Sequence, residues 1–366
     1  MTVSRPAAVV ILAAGAGTRM KSQLPKVLHP ICGASMLDHV LAAARELRPA
    51  ELIVVVGHGG RQVAAHLGRH APDARVVVQD RQGGTGHAVR IVTETVGFGY
   101  GTVVVTYGDT PLLRGGTLAA LVRGHAGEGA AATALTTVMA DPTGYGRILR
   151  DDDRAFARIV EESDATPEQR SVTEINSGVY AFASGLLADS VKRLPTDNAK
   201  GEEYLTDVVA ILRAEGHHVA TVTVPDSDEV RGVNDRVQLA AARRILNARI
   251  LDGWMRAGAT IVDPLTTLID VGVIIGRDVE IGPGTQLTGS TVVEAGARVG
   301  AGCALRDTAV GQGAVLSHVV GVSAKVGPGV TVDPFTYLAP GTELPASKPG
   351  RPRSGAAGPA RKEAQA

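Results

Sequence analysis

The chain has two cysteines in 366 residues, Cys32 and Cys303, too few and too far apart for a disulfide framework or a zinc site. Such sparse usage suits a reducing compartment, and a cytoplasmic location is expected. Aromatic residues make up only 3% of the chain, so its cores must be built from Val, Ile, Leu and Ala. Net charge is missing as well: 37 basic residues balance 37 acidic ones. That balance leaves no electrostatic footprint for nucleic acid or for an anionic membrane. Long hydrophobic runs are also lacking. The opening stretch MTVSRPAAVVILAAGAG is interrupted by Gly, Thr and Arg well short of the ~20 residues that cross a bilayer, and it reads as a buried strand. What the chain has in abundance is glycine, 45 residues, a composition that suits parallel sheets and repeat architectures with many tight turns.

The length favours two domains, one large and one small. Apolar runs at Ala8 to Ala13, Leu52 to Val56, Arg75 to Val78 and Thr102 to Thr106 alternate with helical stretches such as Met36 to Leu47. Continuous apolar strands interleaved with helices predict a parallel sheet covered on both faces, with ligands beyond the carboxyl ends of its strands. The segments Ala131 to Met139, Ser177 to Ala183 and Val219 to Val224 extend this α/β, Rossmann-like domain over 1–233. A linker helix is expected over 234–258, with Asn234 as a candidate cap.

From about Ile274 a six-residue repeat is visible as Ile275-Gly276, Ile281-Gly282, Val299-Gly300, Val310-Gly311 and Val326-Gly327, with Val332-Asp333 as a weaker member. An aliphatic residue every six positions, followed by a small one, lets each hexad form one face of a triangular coil. A short left-handed parallel β-helix over 259–342 is expected. The remainder, 343–366, is rich in Pro, Gly, Ala and basic residues and reads as a disordered tail.

The first strand runs into Leu12-Ala13-Ala14-Gly15-Ala16-Gly17-Thr18-Arg19-Met20, where small residues allow backbone N–H groups to approach a nucleotide. No Gly-Lys-Ser/Thr follows, and Met20 stands at the third glycine position of a dinucleotide fingerprint, which discourages ATPase and NAD readings. Arg19 and Lys26 place two cations just beyond this loop, an arrangement suited to a triphosphate.

The segments LAAGAGTRM and PKVL are similar to the signature of sugar-1-phosphate nucleotidylyltransferases. The match continues through Gln79 to Ala88, Tyr107-Gly108-Asp109, Gly144 to Arg147, Glu161, Asp164 to Thr166, Glu174 to Gly178, Glu203 to Asp207 and Gly232 to Asn234. In that order these segments resemble the bacterial bifunctional N-acetylglucosamine-1-phosphate uridylyltransferases across the whole first domain. The resemblance implies UTP and N-acetylglucosamine-1-phosphate as substrates and Mg²⁺ as cofactor, held by Asp109 and Asn234. It implies Arg19 and Lys26 as the catalytic cations. It implies a nucleotide site of Leu12, Ala13, Gly15, Lys26, Gln79, Gln82, Gly84 and Thr85. For the sugar it implies Tyr107, Gly108, Gly146, Glu161, Asn176, Tyr204, Thr206 and Asn234. The residue types agree with these roles. Asp109 ends a valine-rich strand, where its carboxylate would enter the crevice, and Mg²⁺ takes only one or two protein oxygens. The amides of Gln79 and Gln82 both donate and accept, as reading a uracil edge requires. His87 is expected to be structural.

Two departures from the family stand out. Gly83 replaces a larger apolar residue, which would loosen the uridine pocket. The family's Leu-Arg-Pro-Gly segment appears as Leu338-Ala339-Pro340-Gly341, and the coils expected to carry an acetyltransferase site do not follow, so acetyl transfer is expected to be absent. A homotrimer formed through the solenoid is implied. The competing readings are a different hexose-1-phosphate, a catalytically silent sugar-nucleotide-binding subunit, and an acyltransferase suggested by the hexapeptides alone.

Overall fold

The computed structural model describes residues 5–347 and divides the chain into two compact units, Met1–Leu246 and Asn247–Ala366. In the first unit nine strands form one mixed sheet: β1 (Ala8–Ala13), β2 (Glu51–Val56), β3 (Arg75–Val78), β4 (Thr102–Tyr107), β5 (Ala132–Val138), β6 (Arg147–Arg150), β7 (Phe156–Val160), β8 (Glu174–Ala183) and β9 (Val219–Thr223). The main order is β9-β5-β8-β4-β1-β2-β3, with the β6–β7 hairpin attached beside β8.

The strands are apolar throughout because both faces are covered. Along β1, Val9, Ile11 and Ala13 enter one core with Leu37, Val40 and Leu41 of the helix Met36–Glu46. The intervening Ala8, Val10 and Leu12 enter the opposite core with Val89 and Val92 of the helix Thr85–Thr95. Each core residue of this size stabilises the fold by roughly 1.5–3 kcal/mol on burial.

The strands β4, β1, β2 and β3 are parallel neighbours, as the sequence predicts. The all-parallel expectation fails at β8, which runs antiparallel to both β4 and β5. Its register also shifts between Asn176 and Tyr180, where Gly178 adopts φ 78°, a β-bulge of the kind that re-aims side chains beside a site. Because β4 lies on one side of β1 and β2 on the other, the chain reverses its winding between β1 and β4. That reversal opens a crevice at their carboxyl ends.

The division between units falls inside the helix Arg236–Arg256, so the segment expected to be a separate linker is shared between them. Its cap is Asp235 rather than Asn234: the Gln238 amide N–H donates to Asp235 Oδ1 at 2.8 Å, and Gln238 Oε1 accepts from the Asn234 N–H at 2.7 Å. The Asn234 side chain is thereby left for another role.

In the second unit fourteen short strands stack as three parallel sheets, the faces of a β-helix that begins at Thr260. Ile281, Val299 and Leu316 line the interior of one face, Leu287 and Leu305 the second, and Val293, Val310 and Val326 the third, all within one core. Val332, the weak repeat member, follows a single bridge from Thr331 to Val315 rather than a strand. The solenoid extends past 342, since Glu343–Leu344 pairs with Lys325–Val326. This corrects the start of the expected tail, the rest of which lies outside the described residues from 348 onward. At the other end Asn247 closes the first coil, donating to Thr267 O at 2.9 Å and accepting from Ile269 N–H at 3.1 Å.

Glycine follows Ile275, Ile281, Val299, Val310 and Val326, and there it has a steric cause. A Cβ at Gly282 would come within 2.6 Å of the backbone nitrogen of Ala301, and one at Gly276 within 2.5 Å of that of Ala295. At these positions the next coil's backbone approaches too closely for a side chain. Gly282→Ala should lower the stability of this unit by about 1–3 kcal/mol in denaturant unfolding, because stacked backbone cannot yield as a side chain can.

Candidate functional site

The crevice between β1 and β4 gathers three distant segments. Lys26 follows Pro25 in the loop after β1, Asp109 lies just past β4, and Asn234 precedes the helix Arg236–Arg256. The Lys26 ammonium is hydrogen-bonded to Asp109 Oδ2 and donates to Asn234 Oδ1 at 3.1 Å. Two backbone features hold this trio. Gly17, at φ 60°, allows Lys26 to pack against it, since a Cβ there would meet Lys26 Cβ at 2.6 Å. The Val233 N–H donates to Asp109 O at 2.9 Å, joining the second and third segments.

A pocket of about 260 Å³ opens beside the trio. It is lined by Leu12, Ala13, Gly15, Lys26, Gln79, Gln82, Gly84, Thr85, Tyr107 and Asp109, which brings together every residue expected at the nucleotide site. Ala14, Val27, Ala88 and Glu202 complete it without having been anticipated. The helix Thr85–Thr95 begins here with Gly84 as its N-cap, so its N-terminal N–H groups add a positive end to the pocket.

The loop before that helix is stitched to the segment 203–205. Glu203 N–H donates to Gly83 O and Gly86 N–H to Glu203 O, each at 2.8 Å, and Leu205 N–H donates to Thr85 Oγ1 at 3.1 Å. Gly84, at φ 100°, would place a Cβ 2.5 Å from Glu203 O, so the two segments meet backbone to backbone. Arg90 grips Glu203 with two hydrogen bonds, Nε to Oε2 at 2.9 Å and Nη2 to Oε1 at 2.7 Å. The guanidinium holds the Glu203 carboxyl below its ordinary range.

Gln79, Gly83 and Arg19 are placed as follows. The Gln79 amide nitrogen donates to Gly84 O at 3.0 Å and bonds His87 Nδ1 at 2.9 Å, so both of its hydrogens serve the loop rather than a base edge. His87 accepts in that bond and is kept neutral chiefly by burial, in agreement with a structural role. At Gly83 a Cβ would point into the His87 ring, 2.8 Å from Cγ, and Gly83 is not among the pocket's lining residues, so a glycine there does not loosen it. Arg19, on the short turn Thr18–Met20, is exposed and stands outside the lining. Among the described residues it has no ion-pair partner.

A second pocket, of about 440 Å³, is lined by Glu161, Asp164, Asn198, Tyr204, Thr206 and Asp207 among others. Of the expected sugar residues, Glu161, Tyr204 and Thr206 meet here. Burial raises the Glu161 carboxyl above its ordinary range, opposed by the charge of Lys200 and by a hydrogen bond to the Thr206 hydroxyl. Gly146 and Asn176 are bound to one another, the Asn176 N–H donating to Gly146 O at 2.8 Å. Asn176 Oδ1 accepts from Tyr180 OH and from the Gly178 N–H, which leaves its amide nitrogen as the group to meet a ligand. Gly108 is buried, and a Cβ there would meet Val27, Ala13 and Leu37.

Tyr107 lines the first pocket and feels the charge of Glu161, which lines the second. Its ring covers Gly178, where a Cβ would fall 2.0 Å from Cε2. Its hydroxyl is raised above the usual phenol range, first by burial and then by the charges of Glu161 and Asp109. Tyr107 therefore stays protonated as a donor.

Comparison with known proteins identifies the family. A MobA-like NTP transferase domain matches residues 9–175. The bifunctional GlmU protein of Thermobifida fusca is 57% identical over 332 residues, covering 90% of this chain and 69% of its own length. That of Streptomyces avermitilis is 56% identical over 346 residues, 94% of this chain and 72% of its own. That of Mycolicibacterium vanbaalenii is 52% identical, with 94% and 71% covered. The chain belongs to the bifunctional GlmU family. It is a nucleotidyltransferase, and its substrates are a nucleotide and a sugar phosphate. Members of this GlmU and NTP transferase group work with a divalent metal. Among the described residues no helix is long and apolar enough to cross a membrane.

The residues present fit such a metal. No cluster of three or more His, Cys, Asp or Glu that could hold an ion occurs among the described residues. Asp109 and Asn234 nevertheless bring two hard oxygens to a single ammonium, the donor chemistry of a small cation that completes its shell with water and phosphate.

Two measurements test this architecture. Gly178→Ala should cost about 2 kcal/mol or more in unfolding, since the substitution meets both a left-handed backbone and the Tyr107 ring. The Arg90–Glu203 pair lowers the folded carboxyl, so its stabilisation is in place above the ordinary carboxylate range and is lost as pH falls through the lowered value. Glu203→Gln should therefore lower stability at neutral pH and flatten the acid limb of unfolding midpoints measured from about pH 7 to about pH 3.

Proposed function

We propose that the chain transfers a uridylyl group from UTP to N-acetylglucosamine-1-phosphate, releasing pyrophosphate. The observation that carries this reading is the nucleotide-sized pocket lined by Tyr107 and Asp109, with Lys26 between Asp109 and Asn234; a second pocket holding Glu161, Tyr204 and Thr206 supports it.

A phosphate oxygen of the sugar phosphate attacks the α-phosphorus of UTP. The new P–O bond forms as the bond to the bridging oxygen of pyrophosphate breaks, and pyrophosphate leaves with that electron pair. A phosphate monoester has a second pKa of about 6 and is largely a dianion at neutral pH, so the attack needs no general base. What remains for the protein is positioning and charge stabilisation.

Lys26 supplies the buried cation for the reacting phosphates. Arg19 would join it from the rim by rotating an exposed side chain toward the departing pyrophosphate. Gly15, Gln82, Gly84 and Thr85 hold the nucleoside, with Gln79 keeping the loop in shape. Glu161, Thr206, Tyr204, the Asn176 amide and the backbone at Gly146 hold the sugar. Asp109 and Asn234 would hold Mg²⁺, which when bound would offset the negative charge of the phosphates.

This reading assigns no acetyl transfer to these residues, because Ala339 supplies a methyl group where the family segment supplies an arginine. It includes assembly as a homotrimer through the solenoid. Support comes from Leu268, Ile274, Val320 and Tyr337, which expose apolar surface on its strands.

The test is pyrophosphate release from Mg²⁺, UTP and N-acetylglucosamine-1-phosphate, with Asp109→Ala alongside. The variant should lose about 10²–10³-fold in kcat, the usual scale for one electrostatic group at a reacting phosphate or carbonyl. Wild-type release no greater than that of the variant would sink the substrate pair.

A further inference from the structure

The proposed reaction makes no use of the largest side chain that the fold hides completely, Arg147, which is 2% exposed. Its guanidinium is spread over three segments. Nη1 donates to Tyr145 O, Nε donates to Arg170 O at 3.3 Å, and Nη2 meets Glu162 Oε2 in an ion pair of 2.8 Å. These anchors are the turn before β6, the short helix Pro167–Arg170 and the turn after β7. Two of the three flank residues that the proposed reaction assigns to the sugar: Gly146 lies between Tyr145 and Arg147, and Glu161 is joined to Glu162.

Burying a guanidinium is costly unless several of its five donors are used, and an apolar side chain of similar reach would fill the same space without that cost. Packing alone therefore does not account for arginine here. Its planar fork can fix the relative positions of several acceptors, which the point charge of a lysine cannot.

We infer that Arg147 is a positioning residue for the sugar phosphate. It pins the Gly146 peptide from one side while the Asn176 N–H, donating to Gly146 O at 2.8 Å, pins it from the other. Through Glu162 it fixes the turn that carries the Glu161 carboxylate. Affinity for the sugar then depends on a cation that does not touch it, and affinity for the nucleotide does not. The inference rests on the reaction proposed above.

The test uses the full chain and pyrophosphate release, varying each substrate separately for the wild type, Arg147→Met and Arg147→Lys, with thermal unfolding beside each. Methionine fills the volume, and Glu162, one-third exposed, can turn to water. Arg147→Met should raise KM for N-acetylglucosamine-1-phosphate about tenfold or more while KM for UTP moves less than about twofold, and Arg147→Lys should recover only part of the loss. Equal rises for both substrates, or an unchanged sugar KM, would overturn the inference. Should Arg147→Met not fold, Glu162→Ala removes one anchor and should raise the sugar KM alone, by about threefold. An unchanged value there would be equally fatal. Absence of release from the wild type would sink the proposed reaction and this inference with it, whereas a working wild type with unmoved variants sinks the inference alone.

Discussion

The meeting of the Lys26 ammonium with the Asp109 carboxylate and the Asn234 amide oxygen constrains the rest of the catalytic unit. These residues are separated by 83 and 208 positions from Lys26, and only the reversal of winding between β1 and β4 brings them together. The geometry around them serves that convergence. Gly17 lets Lys26 approach, the Val233 N–H holds the Asp109 carbonyl, and Asp235 takes over the helix cap so that Asn234 is free to face the crevice. A buried or half-buried charge is stable only beside its partners, so loss of any one member should disturb the others.

The two pockets differ in how they are built. The nucleotide side is a backbone surface: the β1 turn, a helix N-terminus, and a glycine-rich loop sewn to residues 203–205. Side chains such as Gln79 and Arg90 are spent on keeping that surface in place. The second pocket is lined by side chains, among them Glu161, Tyr204 and Thr206, borne on the turn after the β6–β7 hairpin and the segment after residue 200. Only at Gly178 can the Tyr107 ring lie directly against β8. This division suits a reaction in which a nucleotide is recognised by close backbone approach and a sugar by directional hydrogen bonds.

Much of this was legible in the sequence because it rests on local physics. The strand at Arg75–Val78 and the helix from Met36 follow from apolar runs and turn residues, and the solenoid follows from its six-residue period. The signatures after β1 and β4 pointed to the crevice because strand ends in such sheets are where ligands collect. What escaped depended on partners far away in the chain. Nothing within Glu174–Ala183 reveals that it runs antiparallel, since a strand buried on both faces reads the same in either direction. The amide of Gln79 could have faced a base or the loop, and the choice is made by His87 and Gly84 in three dimensions. Arg147 looked like the end of a motif. Its burial, and the reach of its guanidinium to Arg170 and Glu162, appear only once the hairpin has folded.

In the proposed reaction the nucleotide binds on the backbone side, beside Tyr107, and the sugar on the side-chain side, beside Glu161. A crystal structure of the chain with UDP-N-acetylglucosamine tests it most directly. The account predicts the uridine against Gly15, Gln82, Gly84 and Thr85, and the sugar among Gly146, Glu161, Asn176 and Thr206. A product bound with its sugar outside that second pocket, or with its base away from the glycine-rich loop, would contradict the account.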